Sequence, residues 1–414
     1  MRAEVAGYPL KAFAVCLIAY ATAQMDLALF GYAIPSIREE FGLTLSGVMS
    51  VVSSAFIIGG ILIVWLGQLT DRLGRKRMFQ FSLIGSSALV ALHSIVPSAT
   101  ILAVLRGGSI AVGGLSYPVT GAIISEEFPA RVRGLFLGLL QIGYPLGWAL
   151  ASVWAAWLLG SYGWRYLFLV GLVSLPFVWV VNRVLREPAR ATEARESGAR
   201  SASATELLAP GIRRRAILLF CAQFMFVWAY AGSIFLFPSY LADSRGFESF
   251  DFSLLIGAGN AIGIVGYVLA AVTGEFWMTR RNTVVLWTML GALTFQAVVW
   301  LTTDFTSVLL TYGLMSMFFY GSAAVKFAYL AEVFPTRLRA TAMASCGSLA
   351  VTLGSASGPL SVSLAVERFG WDVGYATVVG GPLIIAGILY LFLTPVPSGL
   401  EVEEVEALLA AKAG

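Results

Sequence analysis

Apolar residues in this chain do not alternate with polar ones at the period of a half-buried strand or helix. They run on. Twelve stretches of about twenty apolar residues succeed one another, at about 12–35, 46–67, 78–97, 100–125, 134–160, 165–184, 216–242, 252–275, 283–302, 307–331, 340–366 and 371–394. Each is long enough to cross a bilayer as a helix. In hydrocarbon a spanning segment must satisfy its own backbone, which points to helices throughout. The pattern predicts an all-α membrane protein.

Composition agrees: 58% of the 414 residues are hydrophobic and only 12% are charged, half the charge of an ordinary soluble domain. The first run is too long, and too free of a small-residue cleavage site before Asp26, to be a cleaved signal peptide. Cys16, Cys221 and Cys346 lie far apart inside apolar runs, with no disulfide or metal spacing. The net charge of +4 comes from residues in short loops, so no nucleic-acid partner, cofactor or metal is expected. A polar stretch, REPARATEARESGARSASATELLAPGIRRR, cannot enter the bilayer. It divides the chain into an N-terminal six-helix half (1–185), a linker (186–215), a C-terminal six-helix half (216–395) and an acidic tail (396–414).

Alternate loops differ in basic charge. One set carries Arg72, Arg75, Lys76, Arg77, Arg131, Arg133, Arg213, Arg214, Arg215, Arg280, Arg281, Arg337 and Arg339; the other carries only Arg38, Arg165, Arg245 and Arg368. By the positive-inside rule, the first set, the linker and both termini lie in the cytoplasm. The two halves also repeat. SEEFPARVRG at 125–134 aligns with AEVFPTRLRA at 331–340, setting Glu126 over Glu332 and Arg133 over Arg339, and YGWR at 162–165 aligns with FGWD at 369–372. Parallel repeats of six helices mark a carrier whose site lies between its halves.

Between the second and third runs stands GQLTDRLGRKR. It resembles the loop signature of the major facilitator superfamily at every fixed position: Gly67, Leu69, Asp71, Arg72, Gly74, Arg75, Lys76 and Arg77. In the second half AVTGEFWMTRR keeps Glu275 and the Arg280–Arg281 pair. The resemblance implies two pseudo-symmetric six-helix halves around a central cavity, worked by alternating access. It also implies gating by Gly67, Asp71, Arg72, Gly74, Arg75, Arg77, Glu126, Arg133, Glu332 and Arg339. Topology alone is the competing account of the cations, though not of Asp71 or the glycines.

Within that superfamily the chain looks most like the metabolite:proton symporters of the aromatic acid, sialate and monocarboxylate type. QMDLALFGYAIPSI, RGGSIAVGG, EEFPARVRG and GLLQIGYPLGW carry the likeness. Where aromatic-acid carriers show D-G-x-D, this chain has Ala23-Gln24-Met25-Asp26 and keeps only the second acid.

A lone Asp at mid-membrane costs roughly 2.5–3.5 kcal/mol, so Asp26 needs a task or a partner. It lies roughly 14 Å from the outer end of the first helix, and Arg106 roughly 9 Å from that of the fourth, by helical rise. The two are assigned to proton coupling, against a purely structural ion pair. Lys326 either faces the cavity or snorkels to the interface. Helical spacing adds Tyr117, Gln141, Tyr144, Trp148, Gln223, Tyr230 and Asn260 as substrate-binding candidates. Tyr312, Phe319 and Lys326 recur at sevenfold spacing and should share a face. His93, the only histidine, reads as an interface residue rather than a relay.

The chain is thus expected to be a monomeric, multi-pass carrier of the cell (inner) membrane, importing a small organic anion, a carboxylate, with a proton. A sugar or polyol transporter of the same superfamily and a proton-driven efflux carrier are the alternatives. One histidine and no metal set leave nothing for a membrane enzyme.

Overall fold

A computed structural model describes residues 7–73, 75–186, 204–334, 338 and 341–395. Most of the 186–215 linker and the 396–414 tail lie outside them. Among the described residues are twelve helices of membrane-spanning length. They are α1 (Tyr8–Glu40), α2 (Leu45–Leu73), α3 (Lys76–Ile95), α4 (Ala99–Gly121), α5 (Val132–Ser161), α6 (Trp164–Val184), α7 (Arg213–Arg245), α8 (Ser249–Trp277), α9 (Arg280–Trp300), α10 (Phe305–Leu330), α11 (Met343–Phe369) and α12 (Trp371–Leu391). The expected spans are all present, several of them longer than the apolar run that announced them. Polar caps set some of the starts. Asp304 accepts the backbone N–H groups of Thr306 and Ser307, each at 3.1 Å, to open α10. The Ser307 hydroxyl on the same carboxylate holds its pKa below the ordinary range.

The repeat seen in sequence is physical. Gly163 and Gly370, aligned in YGWR and FGWD, precede α6 and α12 with φ of 83° and 81°; only glycine takes this turn without strain. The residues at the variable fourth position make the same bond with opposite polarity. Arg165 of α6 pairs with Glu40 of α1 at 2.6 Å, and Asp372 of α12 pairs with Arg245 of α7 at 3.8 Å. Basic residues at the other rim repeat as well. Lys76 at the start of α3 donates to the Asn182 carbonyl near the end of α6 (2.8 Å), and Arg281 at the start of α9 donates to the Leu391 and Leu393 carbonyls ending α12 (2.9 and 3.2 Å). Cations there satisfy carbonyls left open at a helix C-terminus.

Lipid tails give helices no hydrophobic reason to associate, so close packing through small residues has to hold them. Gly147 of α5 lies against the backbone of α1, where a Cβ would stand 2.5 Å from the Ala21 carbonyl and 2.7 Å from the Met25 nitrogen. Gly107 of α4 meets α2 in the same way, and Gly354 of α11 meets α7. Two seams join the first six helices to the last six: Gly257 of α8 on Ser152 of α5, and Gly60 of α2 on Thr352 of α11.

Both rims are shut. On the rim opposite the basic loops, Arg38 of α1 bonds Asp243 of α7 at 2.5 Å, and Glu367 of α11 accepts the Ser46 N–H in the first turn of α2 at 2.7 Å. At the basic rim, Glu275 and Arg280 pair at 2.6 Å, with side chains 10% and 6% exposed. A Cβ on Gly134 of α5 would stand 2.5 Å from the Arg280 guanidinium and 3.2 Å from the Glu275 carboxylate. This clamp belongs to the second copy of the loop signature. In the first copy, the side chains of Gly67, Asp71, Arg72 and Arg75, with Gly74 entire, lie outside the described residues, as do those of Glu126, Glu332 and Arg339. Arg77 is exposed, and Arg133 donates to the Phe128 carbonyl at 3.4 Å.

Two outcomes follow from this packing. Gly147→Val should cost roughly 1–3 kcal/mol of stability by overpacking the α1–α5 contact, whereas Gly381→Ala, with no neighbour within 4 Å, should leave thermal stability unchanged or raised; equal unfolding temperatures for the two would refute the close-contact account. Removing the outer contacts with Asp243→Asn and Glu367→Gln should weaken closure by about 0.5–1 kcal/mol for each partly exposed bond. Label-to-label distances across the α1–α7 rim should then show a several-fold larger open fraction.

Candidate functional site

Midway along α1, Asp26 is 3% exposed, and Arg106 of α4 is equally buried. The structure brings them together, but the guanidinium does not bond the Asp26 carboxyl. The guanidinium donates to main-chain carbonyls, to Leu27 at 2.7 Å and Asp26 at 3.3 Å, and lies 4.6 Å over the Phe30 ring. Both oxygens of the Asp26 carboxyl are buried with no hydrogen-bond partner. A carbonyl in a helix keeps a second lone pair, and the planar fork of an arginine can span two such acceptors. Arg106 therefore fixes α4 to the backbone of α1 while leaving the acid free. Beside the acid is a cavity of about 120 Å³ lined by Gln24, Asp26, Ser86, Arg106 and Ser109 among others. Its volume and polar walls suit several water molecules.

Farther in, aromatic rings of the two halves meet. Tyr144 and Trp148 of α5 stack at 6.4 Å, Tyr144 meets Tyr230 of α7 edge-on at 5.5 Å, and Trp148 meets Phe235 at 6.1 Å. Tyr230 continues into Tyr320 of α10 at 4.8 Å, whose hydroxyl shares a 3.0 Å bond with Ser233. Asn260 of α8 donates to the Tyr312 hydroxyl at 3.2 Å, leaving its own Oδ1 without a partner. The Trp148 indole N–H, also buried, has no acceptor.

Lys326 on α10 is 5% exposed, so it does not snorkel. Its Nζ rests on the face of Phe226 and has no hydrogen-bond partner. Phe319 contacts the same Phe226 ring at 5.3 Å, which puts it and Lys326 against one stretch of α7. Tyr312 instead stacks on Phe237 at 4.2 Å. The sevenfold face is broken because Ser316–Tyr320 winds as a π-helix, and one wider turn rotates everything beyond it.

The remaining candidates divide. Gln141 is buried, with its Oε1 3.5 Å from the Tyr20 hydroxyl that donates to it. Gln223 is spoken for elsewhere, accepting the Tyr390 hydroxyl of α12 at 3.1 Å, and does not join the aromatic group. The Tyr117 side chain lies outside the described ones. Sequence reading overlooked Phe226, Ser233 and Phe237, although with Tyr230 they follow helical spacing along one face of α7. It also overlooked Tyr320, which the π turn brings inward. His93, at the outer end of α3, is fully buried.

Comparison with known proteins accords with this arrangement. The sequence profile described as Major Facilitator Superfamily matches residues 16–326. Over 402 residues the chain is 26% identical to the cis,cis-muconate transport protein of Acinetobacter baylyi, covering 94% of this chain and 95% of that one. It is 26% identical over 375 residues to the niacin transporter of the same organism (82% and 83% covered). It is 25% identical over 362 residues to the gentisate transporter of Corynebacterium glutamicum (84% and 79%). Among solved structures, a bacterial homolog of the human lysosomal transporter Spinster, inward-facing and occupied, superposes with a TM-score of 0.66 at 13% identity, covering 98% of this chain and 97% of that one. Twelve membrane-spanning helices, an interface of buried polar and aromatic groups, and a profile spanning most of the length agree: the chain is a transporter, not an enzyme, and belongs to the Major Facilitator Superfamily.

Proposed function

We propose that the chain imports a small organic anion, a carboxylate, together with a proton. One observation carries the reading: an acid and an amine, Asp26 and Lys326, are each buried without a hydrogen-bond partner on opposite sides of the same aromatic interface. Ionisable groups are costly inside a membrane and are kept where they work. A buried ammonium facing only an aromatic ring calls for an anion, and a carboxylate substrate supplies one. The sugar alternative draws on the EEFPARVRG loop and on Lys326 reaching the headgroups; the buried Nζ does not favour the second. The carboxylic and aromatic acids named for the relatives favour the same substrate class.

Asp26 is suited to the proton. Its unpartnered carboxyl borders the adjoining cavity, so a change of solvent access there can load or release a proton. Tyr144, Trp148, Tyr230 and Asn260 then form the walls that fix the substrate's apolar part. The Arg-rich rim is assigned to the cytoplasm of the inner membrane. There the Glu275–Arg280–Gly134 contact, with the loop signature around Asp71, is the inner gate; Arg38–Asp243 and Ser46–Glu367 are the outer one. The protein works as a monomer whose halves rock about the α5–α8 and α2–α11 seams.

Asp26→Asn mimics a permanently protonated carrier. In proteoliposomes it should still exchange labelled substrate across the membrane, while net uptake driven by a pH gradient collapses; gradient-driven accumulation at the wild-type level would sink proton coupling. Lys326→Gln should weaken half-saturation for cis,cis-muconate, nicotinate or gentisate on the order of 10–100-fold, the loss of one charged hydrogen bond. An unchanged value for whichever of these anions the protein carries would remove Lys326 from the site.

A further inference from the structure

His93 has no part in the carrier cycle as described so far. It lies at the outer end of α3, where the helix tightens into a 3₁₀ turn over His93–Ile95. Its ring is fully buried, 5.0 Å from Phe168 of α6 and 6.4 Å from Phe30 of α1. Nδ1 lies 3.0 Å from the Val90 carbonyl, a contact that needs the proton on Nδ1. That leaves Nε2 as a lone-pair acceptor, and it has no partner. A histidine serving only as packing would normally have both nitrogens satisfied when buried.

The surroundings give the lone pair a use. Phe30 is one helical turn beyond Asp26 on α1, Phe168 one turn before Gly171 on α6, and His93 one turn beyond Val90 on α3. Asp26, Val90 and Gly171 form the adjacent layer: a Cβ on Gly171 would lie 3.5 Å from Asp26 Oδ1 and 2.8 Å from Val90 Cγ1. The histidine therefore stands one layer outward of the unpartnered acid along a single α1–α3–α6 seam. On its other side the polar rim begins at once. Arg165 donates to the Ser94 and Val96 carbonyls at 3.1 and 3.0 Å and bonds Glu40 at 2.6 Å. The charged groups around the ring are thus Asp26 and Glu40 on α1, Arg106 on α4 behind Phe30, and Arg165 on α6.

We infer that His93 is the outer proton station of the carrier, taking a proton from the external side and delivering it to Asp26. When the Arg38–Asp243 and Ser46–Glu367 contacts part in the outward-facing state, Nε2 accepts a proton from water. The imidazolium formed passes that proton to the Asp26 carboxylate, restoring neutral imidazole and leaving a neutral carboxyl. Substrate contacts on α5, α7 and α10 are not involved. The inference rests on Asp26 as the coupling acid.

A single histidine gives a single imidazole signal, so nuclear magnetic resonance on the whole protein in nanodiscs can follow it. The ring should gain a proton as the pH is lowered, with a midpoint that moves in Asp26→Asn. A ring that stays neutral throughout, or a midpoint indifferent to Asp26, overturns the relay. In proteoliposomes His93→Phe, which keeps an aromatic ring between Phe30 and Phe168, should lower the ratio of gradient-driven uptake to exchange by roughly 10²-fold, the usual worth of a positioned proton-transfer group. An unchanged ratio overturns the relay even if Asp26→Asn abolishes net uptake. If Asp26→Asn itself accumulates substrate normally, the coupling assignment fails and the relay with it.

Discussion

A hydrocarbon interior offers no water to a polar group, so every buried donor and acceptor in this chain must find a protein partner or be held in reserve for something that arrives. The backbone obeys the first course by winding into helices. The helices in turn can associate only by close approach, which is why Gly107, Gly147 and Gly354 sit where another helix's backbone passes. Several buried polar groups among the described residues nonetheless lack a partner, the Asp26 carboxyl, the Lys326 ammonium, the Trp148 indole and Nε2 of His93 among them. Of these, the ionisable ones, Asp26, Lys326 and His93, are the groups we propose to be held open for proton and ligand.

The same constraint explains how the molecule can move. Within each set of six helices close glycine contacts hold the packing, whereas between the sets the outer rim is joined by a few polar bonds and the basic rim by the approach of Gly134 to Arg280 and Glu275. Breaks in the helices also repeat. α4 is interrupted at Leu115 and α10 at Gly321–Ser322, while α5 is interrupted at Gln141–Ile142 and α11 winds as a π-helix over Met343–Leu349. These follow the offset of the loop repeat, so each copy of the E-x-F-P-x-R-x-R loop is carried by two helix segments jointed near mid-membrane. Backbone bonds at such joints are already irregular, so bending there disturbs few hydrogen bonds.

Much of this was legible in the sequence because it depends on local pattern. Apolar run length yields the twelve spans, and the paired loops and Gly-Trp turns yield the repeat. What could not be read depends on geometry beyond one helix. The charge-swapped pairs Glu40–Arg165 and Arg245–Asp372 join residues far apart in the chain. Arg106 was matched with the Asp26 side chain because depth was known and direction was not; in the fold its fork lands on main chain. A single π turn in α10 defeated the sevenfold face, hiding Tyr320 and separating Tyr312 from Lys326. Gln223 obeyed the spacing of α7 yet turned to Tyr390 of α12, since periodicity places a residue on a face without naming its neighbour.

The position of the open groups orders the cycle. Asp26 and His93 belong to α1 and α3, packed with α4 and α6, and Lys326 belongs to α10. Proton and anion would therefore be held by different sets of six helices, which meet at the Tyr144–Tyr230 and Trp148–Phe235 contacts. Were both held by one set, loading either would alter little between the halves. Held across the interface, an anion drawn to Lys326 and walled by α5 pulls the sets together, and a proton on Asp26 removes the negative charge that would otherwise repel it. Coupling then needs no direct bond between proton and substrate. It requires only that closure be unfavourable with one buried charge uncompensated, a penalty of several kcal/mol per ion in a low dielectric. The fully loaded and the fully empty carrier escape that penalty most completely, the empty one when Asp26 faces Arg106 and Lys326 gives up its proton or its burial.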